Sequence, residues 1–490
     1  MFTRSRAGHA TLFAPDDICT GFVLWNRYTR EGEGDLHEPS GRRFTTKAGS
    51  IFRNNATGVE MIFRALQSRN YRLFFGGQSI SLIGTWMQQI ATSWLVYRLT
   101  NSPFMLGVVG FAGQIPTFLF AGIAGVLADR LHRHRMVIVT QTLAMVQAFI
   151  LAFLMLTRAV TVWQIIVLSI FLGLLNAFDM PARQAFIVDL IEKREDLGNA
   201  IALNSTMFNA ARLLGPSIAG ILIAALGEGM CFLLNGISYL AVIGSLFAMT
   251  IRPRIKKVRR AHVVEELREA FSYSFGFPPI RSILLLLALV SLIGMPYTVL
   301  MPVFAKDVFH GGAHTLGFLV GASGIGALAG TMYLASRRTV RGLGKVIAVS
   351  ASLFGAGLIA FSLSRILWFS LLLMLVTGFG MVVQFASSNT ILQTIVDDDK
   401  RGRVMSMFTM AFSGTAPIGS LLAGGLASRI GAPTTLLLGG VCCILGSFLF
   451  TRALPALREM VRPIYVRKGI IPEVASGLQA AATLTRPPED

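Results

Sequence analysis

The chain has 490 residues, 53% of them hydrophobic and 14% charged, against roughly 25% charged in ordinary soluble domains. A mean hydropathy of +0.62 sustained over that length leaves more apolar side chains than a water-facing fold can hide, which excludes a soluble enzyme and makes lipid the solvent. The net charge of +19 would suggest nucleic acid in a soluble chain, so its meaning depends on where the basic residues lie.

Residues 1–60 mix both signs of charge, lack helical periodicity and are expected to be disordered. They contain no basic start followed by an apolar run, hence no signal peptide. Met61 leads directly into the first apolar stretch and is the expected start of translation. Stretches poor in Asp, Glu, Lys and Arg, and long enough to cross about 30 Å of hydrocarbon, then recur at 73–97, 104–128, 136–157, 162–190, 199–226 and 230–251. A basic segment at 252–281 precedes six more at 282–305, 315–336, 346–364, 366–396, 404–428 and 432–451. The expected fold is therefore all-α and polytopic, with twelve transmembrane helices in two six-helix bundles, 61–251 and 282–452. The tail 453–490, punctuated by Pro455, Pro463, Pro472, Pro487 and Pro488, reads as a cytoplasmic appendage.

The basic residues orient this chain. With the N-terminus inside, cytoplasmic connections hold twenty of them, in the runs 130–135, 193–194, 252–281, 337–345 and 400–403. The opposite face holds Arg98, Arg158, Lys306, Arg365 and Arg429. Such asymmetry follows the positive-inside rule, puts both termini in the cytoplasm and makes nucleic acid unnecessary as an explanation of the charge. Cys19, Cys231, Cys442 and Cys443 show no metal or redox spacing, and no other metal-ligand cluster, cofactor motif or ATP-cradling glycine loop occurs.

The halves also repeat each other. Ser205, Asn209, Arg212 and Pro216 in span 5 match Ser406, Met410, Ser413 and Pro417 in span 11 at one constant offset. Parallel six-helix repeats joined by a charged linker are the pattern of a secondary transporter whose site lies between the halves. Three motifs stand out within it. The loop after span 2 reads Gly125-Val-Leu-Ala-Asp129-Arg130-Leu-His132-Arg133. Span 5 carries Gly215-Pro216-Ser-Ile-Ala219-Gly220, where small residues four apart allow close helix packing and proline permits a bend. In span 4, Ser169, Asn176, Asp179 and Arg183 share one helical face, and charges there must turn away from lipid.

The loop motif resembles the cytoplasmic signature of the major facilitator superfamily, with His132 in place of the second glycine. Together with the start at Phe63-Arg-Ala-Leu-Gln and the span 4 segment, it resembles the drug:proton antiporter subgroup that includes bacterial enterobactin and macrolide exporters. The resemblance implies a latch between the halves from Gly125, Asp129, Arg130, Arg133 and Asp189, and an antiporter-type kink at Gly215, Pro216 and Gly220. Solvated loop charges and a plain packing kink are the alternatives. The arginine that many drug antiporters carry early in span 4 is absent, Ser169 standing near that position, so their proton relay does not transfer.

Well inside the membrane, away from the ends of the spans, the charged residues are Asp179, Arg183 and Arg212, which makes Asp179 the leading proton-coupling candidate; a neutralising Asp179/Arg183 pair is the structural alternative. Polar stripes nominate Gln78, Thr85, Gln89, Thr92, Gln114, Asn176, Asn209, Tyr297, Gln384, Ser388 and Ser413 for a large, mostly apolar cavity, although polar residues also glue helices together. The expected function is proton-driven export of an amphipathic small molecule, drug- or siderophore-like, by alternating access. The expected place is the bacterial inner membrane, and the expected working form is a monomer without cofactor or metal. A lysophospholipid or metabolite carrier is the alternative within transport, and a non-transporting scaffold or receptor the alternative outside it. A chain beginning at Met61 is expected to insert and transport as the full chain does; loss of expression or transport on that truncation would assign the first 60 residues a role.

Overall fold

The computed structural model describes residues 63–191, 193–250, 263–337 and 339–470. The segment 1–60, expected to be disordered, and the end of the tail at 471–490 lie outside the described residues.

Long helices account for nearly all of the described chain, and no strand occurs among the described residues. They are α1 (Arg69–Thr100), α2 (Pro103–Arg130), α3 (Arg133–Leu156), α4 (Val162–Leu190), α5 (Leu197–Leu226) and α6 (Glu228–Phe247). A connecting helix, Val263–Gly276, leads to α7 (Pro278–Val308), α8 (Ala313–Ser336), α9 (Leu343–Leu363), α10 (Leu367–Ile395), α11 (Arg401–Ile430) and α12 (Ala432–Arg467). Eleven of these are long and apolar enough to cross a membrane. The exception, α1, has 32 residues, but Gln78, Gln88 and Gln89 lower its apolarity; two of those glutamines are buried, so its polarity turns inward. Large apolar side chains line the outside instead, with Trp163 76% and Trp368 79% exposed at the starts of α4 and α10, where indole rings suit a lipid–water boundary.

Among the boundaries that depart from the sequence reading, two have a clear physical cause. Tandem proline at 278–279 opens α7 before the expected start at 282, since proline is pre-organised for the first helical turn. At the other end α12 runs past 451 to Arg467, with Pro455 and Pro463 inside it. Leu454, Leu457 and Val461 are buried on one face of that extension, Arg467 pairs with Asp397 at 2.8 Å, and Lys468 donates to the carbonyl of Thr394 at 2.8 Å. Those contacts outweigh the helix-breaking tendency of proline. The connecting helix docks on the same end: Glu269 pairs with Arg403 at 2.7 Å, and Lys400 lies 4.7 Å from the Tyr273 ring centroid. Burial, reinforced by the nearby Asp397 and Asp399, raises the pKa of the Tyr273 hydroxyl.

Helix α1 packs on α5 and α6, α2 on α4, and α3 on α4 and α6; in the second half α8 and α9 pack on α10, and α12 on α7 and α9. The halves meet through α2 against α11 and α5 against α8. Those crossings depend on glycine. A Cβ on Gly107 would lie 2.6 Å from the Ser420 carbonyl oxygen, and one on Gly317 2.6 Å from that of Pro216, so neither backbone approach survives a side chain. Near them Tyr97 of α1 donates to Asp307 of α7, and the Lys306 ammonium donates to Asn101. All of these contacts cluster at the end with few basic residues, so the halves are closed there. Gly317→Val is expected to force that closure apart. The measurement is the distance between spin labels at Ala159 and Ile366, exposed positions on the same end of the two halves. A shift to longer distances is expected, with a smaller one for Tyr97→Phe, which loses one hydrogen bond worth roughly 1 kcal/mol.

Candidate functional site

The middle of the first half is organised around Asp179. Three and four residues along a helix bring side chains onto one face, and α4 thereby presents Asn176, Asp179 and Arg183 to a single cavity in spite of Pro181 between them. Asp179 is 5% exposed. Its Oδ2 pairs with Arg183 Nε at 3.3 Å, while its Oδ1 accepts from Thr140 Oγ1 at 2.8 Å and from Gln141 Nε2 at 2.9 Å. A carboxylate in lipid is tolerable only when it is paired and its remaining lone pairs are filled, and breaking such a pair costs about 3–5 kcal/mol.

The cavity beside it has a volume of ≈ 40 Å³ and is also lined by Gln78, Ser81 and Thr85 of α1 and Tyr239 of α6. Tyr239 lies 3.5 Å from Thr85, hydroxyl to hydroxyl. Two acceptors on its wall, Gln78 Oε1 and Gln141 Oε1, are buried and lack a hydrogen-bond partner. Further along α1 a second polar cluster is fully engaged: Gln88 Nε2 donates to Gln147 Oε1 at 2.8 Å, and Asn235 Nδ2 donates to Gln88 Oε1 at 2.7 Å. At the end of α1, Arg98 pairs with the buried Glu228 of α6 at 3.0 Å.

The residues nominated for the cavity thus fall into separate places. Gln78, Thr85 and Asn176 join Asp179 and Arg183. Gln89 is exposed and Thr92 half-buried; Gln114 folds back onto the Gly110 carbonyl at 3.1 Å, and Asn209 onto that of Ser205 at 2.9 Å. In the second half Tyr297 is buried and shares a 2.8 Å hydrogen bond with Ser323. Ser388 is buried and donates to the Gln384 carbonyl at 2.8 Å, and the Gln384 Nε2 has no partner. Ser413 lies in a π-helical turn of α11, Met410–Gly414, whose Phe412 carbonyl accepts from Ser291 of α7 at 2.6 Å. Arg212 reaches across the halves, its Nη2 lying 3.9 Å from Met381 Sδ.

Arg133 of the loop motif pairs with Asp189 at 3.1 Å and donates to the carbonyls of Ala128 and Ala185. These partners all belong to the first half, tying α3 to the ends of α2 and α4. The side chains of Asp129 and Arg130 lie outside the described residues; Gly125 is half-buried, and a Cβ on it would meet nothing. In the span 5 motif α5 stays helical through Pro216. Gly215 packs against α1, where a Cβ would lie 2.5 Å from that of Trp86, and Gly220 against α8, where one would lie 3.1 Å from Gly317 Cα. These glycines therefore seat helices against each other within and between the halves.

Thr140, Gln141 and Gln147 escape the sequence reading, and so does Gln88, next to the nominated Gln89. Their signal was present as polar side chains recurring on one face of α3, at 140, 141 and 147, in an otherwise apolar span. Only packing shows that this face meets α4 and α1.

Comparison with known proteins agrees with this architecture. The model of a family described as transmembrane secretion effector matches residues 62–465. The staphyloferrin A transporter of Staphylococcus aureus is 27% identical over 383 residues, covering 77% of this chain and 95% of that protein. Macrolide efflux protein A of Streptococcus pyogenes is 23% identical over 393 residues, covering 76% of this chain and 94% of its own. The crystal structure of a bacterial homologue of the iron transporter ferroportin, in an inward-facing state, matches with a TM-score of 0.60 at 19% identity, covering 79% of this chain and 98% of that one. A family match spanning every membrane helix, over a backbone of this fold, leads to one conclusion: the chain belongs to the transmembrane secretion effector family of the major facilitator superfamily and is a multi-pass membrane transporter, not an enzyme.

Proposed function

We propose that the protein exports an amphipathic small molecule of drug or siderophore type from the cytoplasm in exchange for protons. It does so as a monomer in the bacterial inner membrane, with both termini cytoplasmic and the halves rocking between two states. The observation that carries this reading is the buried Asp179–Arg183 pair, which borders a cavity instead of being sealed in packing. A conformational change that lengthens the Asp179–Arg183 contact would open the carboxylate to that cavity, which is what proton exchange at this site requires. The halves are closed at the end with few basic residues; by the positive-inside rule that is the outer end, and this state receives cargo from the cytoplasm. Relatives named for staphyloferrin A and for macrolides support the cargo class.

The test uses liposomes loaded with a pH-sensitive dye and offered, in parallel, a macrolide, staphyloferrin A and a labelled lysophospholipid. Proton flux dependent on one of the first two supports the reading. Movement of the lysophospholipid without pH change assigns a lipid carrier, and no movement of any probe supports a scaffold. For the exported probe, Asp179→Asn is expected to abolish accumulation against a gradient while exchange between equal compartments continues. Normal uphill transport by that variant would remove Asp179 from coupling.

Arg133 and Asp189 give a second expectation. Since their ion pair is mostly buried, 10% and 18% exposed, Asp189→Asn is expected to lower the thermal stability of the first half and to unseat α3 from α4. A Tm unchanged in detergent would return the pair to the class of surface salt bridges worth little.

A further inference from the structure

The cavity beside Asp179 holds a contradiction if it is dry. Gln78 is 1% exposed and Gln141 5%, yet the Oε1 atom of each lacks a hydrogen-bond partner. Both residues line the same small space. Buried acceptors are almost always satisfied, by ordered water when no protein donor is in reach. The space is of the right size: a volume of ≈ 40 Å³ accommodates about three waters at the 10–15 Å³ each requires. Its walls supply what such waters need, namely the two free amide oxygens as acceptors, the Arg183 guanidinium as donor, and the Thr85 and Tyr239 hydroxyls as either.

We infer that this cavity holds a cluster of waters anchored by Gln78 Oε1 and Gln141 Oε1, and that the cluster is the path by which Asp179 exchanges protons with the exposed Asn176 side of α4. This rests on the reading of Asp179 as the coupling residue. The step balances simply. The water beside Asp179 Oδ2 gives up one proton and receives another from its neighbour, and the last water takes its proton from the aqueous cleft. The carboxylate becomes the neutral acid, and Arg183 keeps its charge throughout. Gln88, Gln147 and Asn235 lie outside the lining of this cavity, and their amides are bonded to one another. The groups facing the carboxyl are Arg183 of its own helix, Thr140 and Gln141 of α3, and, across the cavity, Gln78 and Thr85 of α1 and Tyr239 of α6.

A relay controls how fast Asp179 is loaded, whereas the coupling residue controls whether it is loaded at all, and the two separate in one experiment. After a pH jump on the full-length protein in liposomes, infrared spectroscopy follows the carboxyl C=O band of Asp179, identified by its loss in Asp179→Asn. Gln78→Met keeps side-chain volume and removes the acceptor; it is expected to slow the rise of that band by about 10-fold while leaving its final amplitude intact. An unchanged rate would overturn the relay. The absence of any band that Asp179→Asn removes would overturn the coupling reading instead. Since a variant can fail to fold, the unmodified protein provides a second readout: magnetisation transfer from water to the side-chain amides of Gln78 and Gln141 in solid-state NMR. Transfer to both is expected, well above that of Gln88, whose amide is bonded to Gln147 and Asn235 and which serves as the dry reference. Gln78 and Gln141 as dry as Gln88 would overturn the inference outright.

Discussion

In a bilayer no hydrophobic force draws one apolar helix to another, so association depends on how closely backbones approach and on whether buried polar groups find partners. Both requirements shape this protein. Gly107 and Gly317 let α2 meet α11 and α5 meet α8 at backbone distance, and those two crossings join the halves. Within the first half the polar requirement dominates: Gln88, Gln147 and Asn235 clasp α1, α3 and α6, and Asp179 gathers α3 onto α4.

The two kinds of contact differ in direction. Glycine contacts carry little directional energy and pair no buried charge across the seam. The amide clasp and the Asp179 cluster are directional and hold α1, α3, α4 and α6 of the first half together. Tyr97 and Asp307 add a polar contact at the edge of the seam, where Asp307 is exposed. The directional contacts and the buried carboxylate thus belong to the first half, and the glycine crossings to the seam between the halves.

The π-helical turns lie where the second half departs most from regular packing. Widening the backbone at Met410–Gly414 frees a carbonyl that the α7 hydroxyl of Ser291 fills, and α7 has its own π turn at Val290–Gly294 facing it. The first half has no counterpart to this irregularity among the described residues of α5, although α5 and α11 repeat at Pro216 and Pro417. A duplicated unit has thus become asymmetric, with charge in the first half and backbone plasticity in the second.

Composition and span length by themselves determined the helices, their number and the class of solvent, because a membrane helix satisfies its own backbone and needs only about 20 apolar residues to do so. The loop motif was legible only as a cluster of charges: Arg133 meets Asp189 within the first half, a contact that by itself joins no helix of the second. The reach of α12 to Arg467 was not, since its apolar face at Leu454, Leu457 and Val461 is short and its prolines argue the other way until the second half is there to bury it. Asp179 and Arg183 were readable as a pair from spacing on one helix, but Thr140 and Gln141 come from another. Whether a glutamine in an apolar span faces a cavity, a clasp or the outside separates Gln78, Gln88 and Gln89 within twelve residues of α1. That choice is made by the rotation of α1 against α3, α4 and α6, which depends on contacts distant in sequence and is therefore decided by the tertiary structure alone.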